Sequence, residues 1–108
     1  MKKFKLSADQ IQNLVSGRGS CMATDMITVD GKLVGYMYRE NPSNPQDSGW
    51  VFMSGYESQE YMDQASNIEI YDVNTIANYD SEIISLLDSP VGSSFERNSK
   101  GKLVKINE

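Results

Sequence analysis

The sequence predicts an α+β domain: a mostly antiparallel sheet of four to six strands with short helices packed on one side. Three observations predict it. Short runs such as residues 67–73 and 102–106 alternate apolar and polar side chains, the period of a strand with two unlike faces. Residues 81–87 gather Ile83, Ile84, Leu86 and Leu87 into an apolar cluster behind an acidic start, as a short helix does. Turn-forming residues separate these runs at short intervals. The 108 residues, 39% of them apolar, are read as a single domain over 1–108. Two domains would each fall near the lower limit at which a core sustains itself.

Ser7 followed three residues later by Gln10 is a capping-box pattern, and Ile11, Leu14 and Val15 then share a helical face. This predicts a helix over 7–16 that ends at Gly17, with 17–20 as a loop. From Cys21 to Tyr38 the period changes to two, interrupted by Asp30-Gly31. Asp-Gly between two β-rich runs predicts a hairpin, because a type I′ turn needs positive φ at both central positions. Residues 41–48, with two prolines and two asparagines, read as a loop. Residues 49–55 are apolar, aromatic and bounded by glycines, and so predict a buried strand. Residues 57–63 predict a helical turn anchored by Tyr56 and Tyr61. Residues 67–73 predict a strand with Ile68, Ile70 and Asp72 on one face, and 74–78 a short helix before that over 81–87. Residues 93–97 and 102–106 read as a terminal hairpin around 99–101.

Ten basic residues against fifteen acidic ones give a net charge of −5, with no histidine and one cysteine. That excludes an intramolecular disulfide, a His/Cys zinc site and any Ser-His-Asp or Cys-His machine. An acidic chain is a poor holder of DNA or RNA, and no run approaches the length of a membrane span. The basic start lacks the apolar stretch of a signal peptide, so a soluble, cytoplasmic protein is expected. The charge is segregated. Residues 40–96 hold eleven acids and no base, whereas the flanks hold all ten bases and only Asp9, Asp25, Asp30 and Glu108. One reading makes these acids caps, turns and solvated surface, neutralised in part by lysines of the terminal hairpin. The other makes them an acidic face that steers a basic partner, nucleases among them.

Asp72, Asp80 and Asp88 recur every eight residues and offer a carboxylate set for acid–base work or a divalent cation. Each also sits where aspartate caps or turns a chain. Cys21 has no histidine to act as its base and reads as a small buried hydrophobe. Residues 17–20 lack both a Walker lysine and a G-x-G-x-x-G spacing, which leaves turn chemistry. Most aromatic residues lie in the acidic middle (Trp50, Phe52, Tyr56, Tyr61, Tyr71 and Tyr79), where core is the first reading and an interface anchor the second.

Several segments together resemble a known bacterial family. They are residues 21–25 (CMATD), 34–40 (VGYMYRE), 47–55 (DSGWVFMSG), 60–63 (EYMD), 70–80 (IYDVNTIANYD) and 86–97 (LLDSPVGSSFER). The pattern is similar to the domain of unknown function 2185, the Immunity protein 33-like domain, over about residues 20–97. The resemblance implies a protein that binds and blocks a cognate toxin, and it carries no catalytic residues over to this chain. The expected function is therefore non-enzymatic inhibition of a basic, nuclease-like toxin through an acidic surface, without a cofactor. The candidate contact residues are Glu57, Glu60, Tyr61, Asp63, Asp72, Asp80, Glu82 and Asp88. The alternatives are a small metal-assisted hydrolase using Asp72, Asp80 or Asp88, and a ligand-binding housekeeping module.

Overall fold

A computed structural model describes residues 2–106 of the chain. Six strands, β1 (Ser20–Thr24), β2 (Tyr36–Arg39), β3 (Asp47–Met53), β4 (Ile68–Asp72), β5 (Ser94–Arg97) and β6 (Leu103–Ile106), form one sheet in the order β4-β1-β3-β2-β5-β6. All neighbours are antiparallel except β1 and β3, which run parallel. Three short helices, α1 (Asp25–Thr28), α2 (Gln59–Met62) and α3 (Val73–Tyr79), complete the α+β architecture with 3-10 turns at Ala8–Gln10, Ala65–Asn67 and Ser81–Leu86.

The core lies on one face of this sheet. Strand alternation sends Cys21, Ala23, Met37, Trp50, Phe52, Phe95 and Leu103 to that side, where Ile27, Val73, Ile76, Ala77, Ile83 and Leu87 pack against them. Trp50 and Phe52 stack with centroids 6.1 Å apart, and the indole N–H donates to the Leu87 carbonyl. The glycine-bounded strand and the terminal hairpin stand where the sequence places them. So does the helix within 74–78, whose N-cap Asp72 accepts the Asn74 amide. The run 81–87 is helical but tighter, a 3-10 turn over Ser81–Leu86.

Two local expectations are overturned. The Asp30-Gly31 hairpin does not form: residues 25–28 turn into α1 instead, which buries Ile27 and Thr28, and β1 and β2 are not neighbours. Burying Ile27 in the cluster prevails over the local turn preference. Gly31 still uses its positive φ of 80°, but to leave the helix, with its amide donating to the Ile27 carbonyl. The helix over 7–16 shortens to the turn Ala8–Gln10. Gln10 does reach back to the Ser7 amide at 2.8 Å, as a capping box requires.

Beyond that turn, residues 11–15 lie along α3 as a strap. The Asn74 side chain accepts the Leu14 and Val15 amides and donates to the Gln12 carbonyl, and Asn78 accepts the Gln12 amide. These side-chain amides take the bonds a helix would have made to itself. Asn74→Ala removes three side-chain hydrogen bonds and is expected to cost about 1–2 kcal/mol, at about 0.5 kcal/mol for each of these largely solvated bonds. It should also speed hydrogen exchange at Leu14 and Val15; unchanged exchange there would contradict the strap's dependence on Asn74.

Candidate functional site: an uncovered sheet face and its acidic rim

The sheet has a second face, which the helices of the core cluster do not cover. Pairing register aligns Ile70, Met22, Val51, Tyr38, Ser94 and Ile106 in one row across all six strands. Beside it, Met53, Tyr36, Glu96 and Val104 align in a second row, and Ile68 pairs with Thr24. Ile70 is 71% exposed, Val104 40% and Met22 38%. Met53, Ile68, Tyr36, Tyr38 and Ile106 are half-buried, with the Tyr36 and Tyr38 rings 5.6 Å apart. Val51, Ser94 and Thr24, on the same face by register, are buried. Exposed and half-buried apolar side chains gathered on one face mark a site of association. Methionine and tyrosine are also the residues enriched in interface cores.

Ile68, Ile70 and Asp72 do share a face, as the sequence predicts, and it is this open one; the inward position of β4 belongs to Tyr71, whose hydroxyl pairs with Thr28. Tyr56 does not anchor the helical turn inward, because it is 75% exposed. Tyr61 is half-buried.

The acids of residues 40–96 divide by what holds them. Asp80 is buried, accepts the Val34 and Glu82 amides, and pairs with Arg97. Glu82 pairs with the same guanidinium at 2.9 Å and accepts the Leu103 amide. Asp88 pairs with Arg18, and Glu69 lies 3.4 Å from Lys2, which also holds Asp25. The terminal hairpin thus returns a base to the acidic segment through Arg97. Glu57 turns inward to take the Thr24 hydroxyl and the Ser54 and Gly55 amides. Asp47 takes the Ser43 and Gly49 amides. Glu40, Glu60, Asp63, Asp72 and Glu96 are exposed and have no ion pair among the described residues. Asp72 and Glu96 belong by register to the open face itself.

These bonds shift the carboxyls. Burial would raise the Glu57 carboxyl, but the Thr24 hydroxyl and Ser54 amide outweigh it and hold it below the ordinary glutamate value. The Leu103 amide, aided by Arg97, lowers Glu82, and the Ser43 and Gly49 amides lower Asp47. Depressed carboxyls bind fewer protons folded than unfolded, so their stabilisation is complete above the unfolded values near 4 and fades as pH falls through the folded ones. The melting temperature should be level above about pH 5.5 and drop steadily from about pH 4.5 downward. Glu57→Gln should flatten part of that drop; a melting temperature independent of pH between 5.5 and 3 would contradict the assignment.

Asp72, Asp80 and Asp88 do not converge: the first caps α3, the second is buried against Arg97, and the third is on the surface with Arg18. Among the described residues no three His, Cys, Asp or Glu side chains are grouped to hold a metal ion. Cys21 is buried, and burial raises its thiol far above the range in which a nucleophilic thiolate forms. No helix of the described residues is long and apolar enough to cross a membrane.

The family model described as the Immunity protein Imm33 domain matches residues 21–107. It therefore takes in the whole sheet except Ser20, the three helices, the open face and its acids, and leaves out the strap over 11–15. No curated protein and no solved structure matches the chain. With most of its length inside one family model, this chain belongs to the Imm33 family of immunity proteins.

Proposed function

We propose that this immunity protein is a non-enzymatic inhibitor that binds a cognate bacterial toxin and occludes it with the open face of the sheet. The observation that carries the reading is the row from Ile70 to Ile106 on the face opposite the core cluster, in which Ile70 and Met22 are exposed and Tyr38 and Ile106 half-buried. Desolvating such a surface supplies affinity, while unpaired acids at its edge set orientation and association rate. Asp72 and Glu96 on the face, with Glu60, Tyr61 and Asp63 near α2, are the contact residues in this reading. They favour a toxin whose docking patch is apolar at its centre and basic around it, as phosphate-binding nucleases are. Asp80, Glu82, Asp88 and Glu57 serve the fold through the bonds described above.

The test is capture of the toxin domain encoded beside this chain's gene, followed by affinity measurements in rising salt. Saturable binding that weakens about tenfold or more between 50 and 500 mM salt, without vanishing, is expected from an apolar centre with a charged edge. Absence of binding would overturn the reading, and salt-independent binding would remove the acids from it.

A further inference from the structure

Where the open face meets the ends of β2, β3 and β5, the surface deepens into a cleft of about 510 Å³. Its floor forms where Gly35 and Gly55 approach backbone to backbone. A Cβ on Gly35 would stand 1.9 Å from the Ser54 carbonyl oxygen, and one on Gly55 would lie 3.8 Å from Gly35. No side chain rises between the two. Leu33, 55% exposed, and Tyr56 wall the cleft, and Tyr36 and Glu96 join it to the open face.

Charge in the cleft is unevenly committed. Arg97 is engaged by Asp80, Glu82 and the Val34 and Gly101 carbonyls. Lys32 has no carboxylate partner among the described residues; its ammonium rests 5.1 Å from the centroid of the Tyr56 ring. Glu96, opposite Tyr36 at the other side of the cleft, is exposed and also lacks an ion pair among the described residues. The anionic part of a ligand is therefore confined to the Lys32 end, where Leu33 and Tyr56 leave apolar surface in water beside an unneutralised ammonium.

We infer that the cleft is the anchor pocket of the toxin interface and takes an aromatic side chain of the partner with a carboxylate next to it. The ring packs between Leu33, Tyr36 and Tyr56 over the glycine floor, and the carboxylate pairs with Lys32. The inference rests on the open face being the docking surface, and it adds a local acidic requirement to a partner that is otherwise basic around the contact. Aromatic anchors in desolvated pockets dominate interface energies, so this site is a hot spot although it occupies the face's end.

Two measurements test it. In the first, the neighbouring toxin domain is bound to the native chain, to Met22→Lys/Ile70→Lys, and to Leu33→Ser/Tyr56→Ser; all four positions are exposed, so the fold is retained. Weakening of about tenfold or more by Leu33→Ser/Tyr56→Ser supports the pocket. If only Met22→Lys/Ile70→Lys weakens binding, the pocket is wrong and the docking face stands. If the native chain does not bind, the functional reading itself falls. The second needs no toxin: acetyl-Phe-Asp-amide is titrated while backbone amide resonances are followed. Saturable millimolar shifts at Leu33, Gly35, Gly55, Tyr56 and Asn98, lost in Lys32→Glu and weaker for acetyl-Phe-Lys-amide, are expected. Equal binding of both peptides, or shifts elsewhere, would overturn the inference.

Discussion

Arg97→Met is expected to destabilise the protein by about 3–5 kcal/mol, because it leaves a buried carboxylate without its counter-charge. Arg97 ties β5 to three other parts of the chain. Its guanidinium pairs with Asp80 at the start of the Ser81–Leu86 turn, bonds the Val34 carbonyl before β2, and bonds the Gly101 carbonyl in the terminal hairpin. Asp80 in turn holds the Val34 amide at 3.1 Å. Against a total stability of about 5–15 kcal/mol for a domain, a loss of this size is expected to leave a marginal fold at 37 °C. Chemical denaturation measures it. The double variant Arg97→Met/Asp80→Asn should recover part of the loss, since the uncompensated charge is then gone. A single variant within about 1 kcal/mol of the native chain would show that Asp80 finds water or another partner instead.

Met22→Lys/Ile70→Lys is expected to weaken toxin binding by about 100-fold or more while leaving the melting temperature within about 3 °C. Met22 and Ile70 are paired across β1 and β4 on the open face. Two ammonium groups there disrupt the apolar centre and repel a basic partner together. As a control, Asp9→Lys adds positive charge at an exposed site on the Ala8–Gln10 turn, away from the sheet. If Asp9→Lys weakened binding as much as the double variant, long-range charge would explain the effect without a docking face.

The fold was legible where one local signal and the global packing agree. Gly49 and Gly55 bracket an apolar run that is β3 in fact, and the 99–101 turn joins β5 to β6. Asp30-Gly31 failed because the turn signal describes only four residues. Whether β1 and β2 pair is decided elsewhere, by β3 inserting between them. The helix over 7–16 failed for a similar reason: the partners of the amides in the strap that replaces it, Asn74 and Asn78, lie about 60 residues away along the chain.

The acids of residues 40–96 were countable in the sequence, but their partners were not. Arg97 reaches Asp80 and Glu82 from outside that segment, and Glu57 folds back on Thr24. The open face did leave a trace. β1 and β3 carry apolar residues at successive as well as alternate positions, Met22 with Ala23 and Val51 with Phe52, so both faces of the sheet are apolar. The helices are too few and too short to cover both. An alternating pattern identifies the inward face, whereas an apolar second face has to be read against the covering elements available.

The direct test of the open face is a methyl resonance map of the native chain with its toxin domain bound. Perturbation of Met22, Val51, Met53, Ile68, Ile70, Val104 and Ile106 is expected, with Ile27, Ile76, Ile83, Leu14 and Leu86 unmoved. Perturbation centred on α3, the strap or the Ser81–Leu86 turn, with the sheet methyls silent, would contradict it.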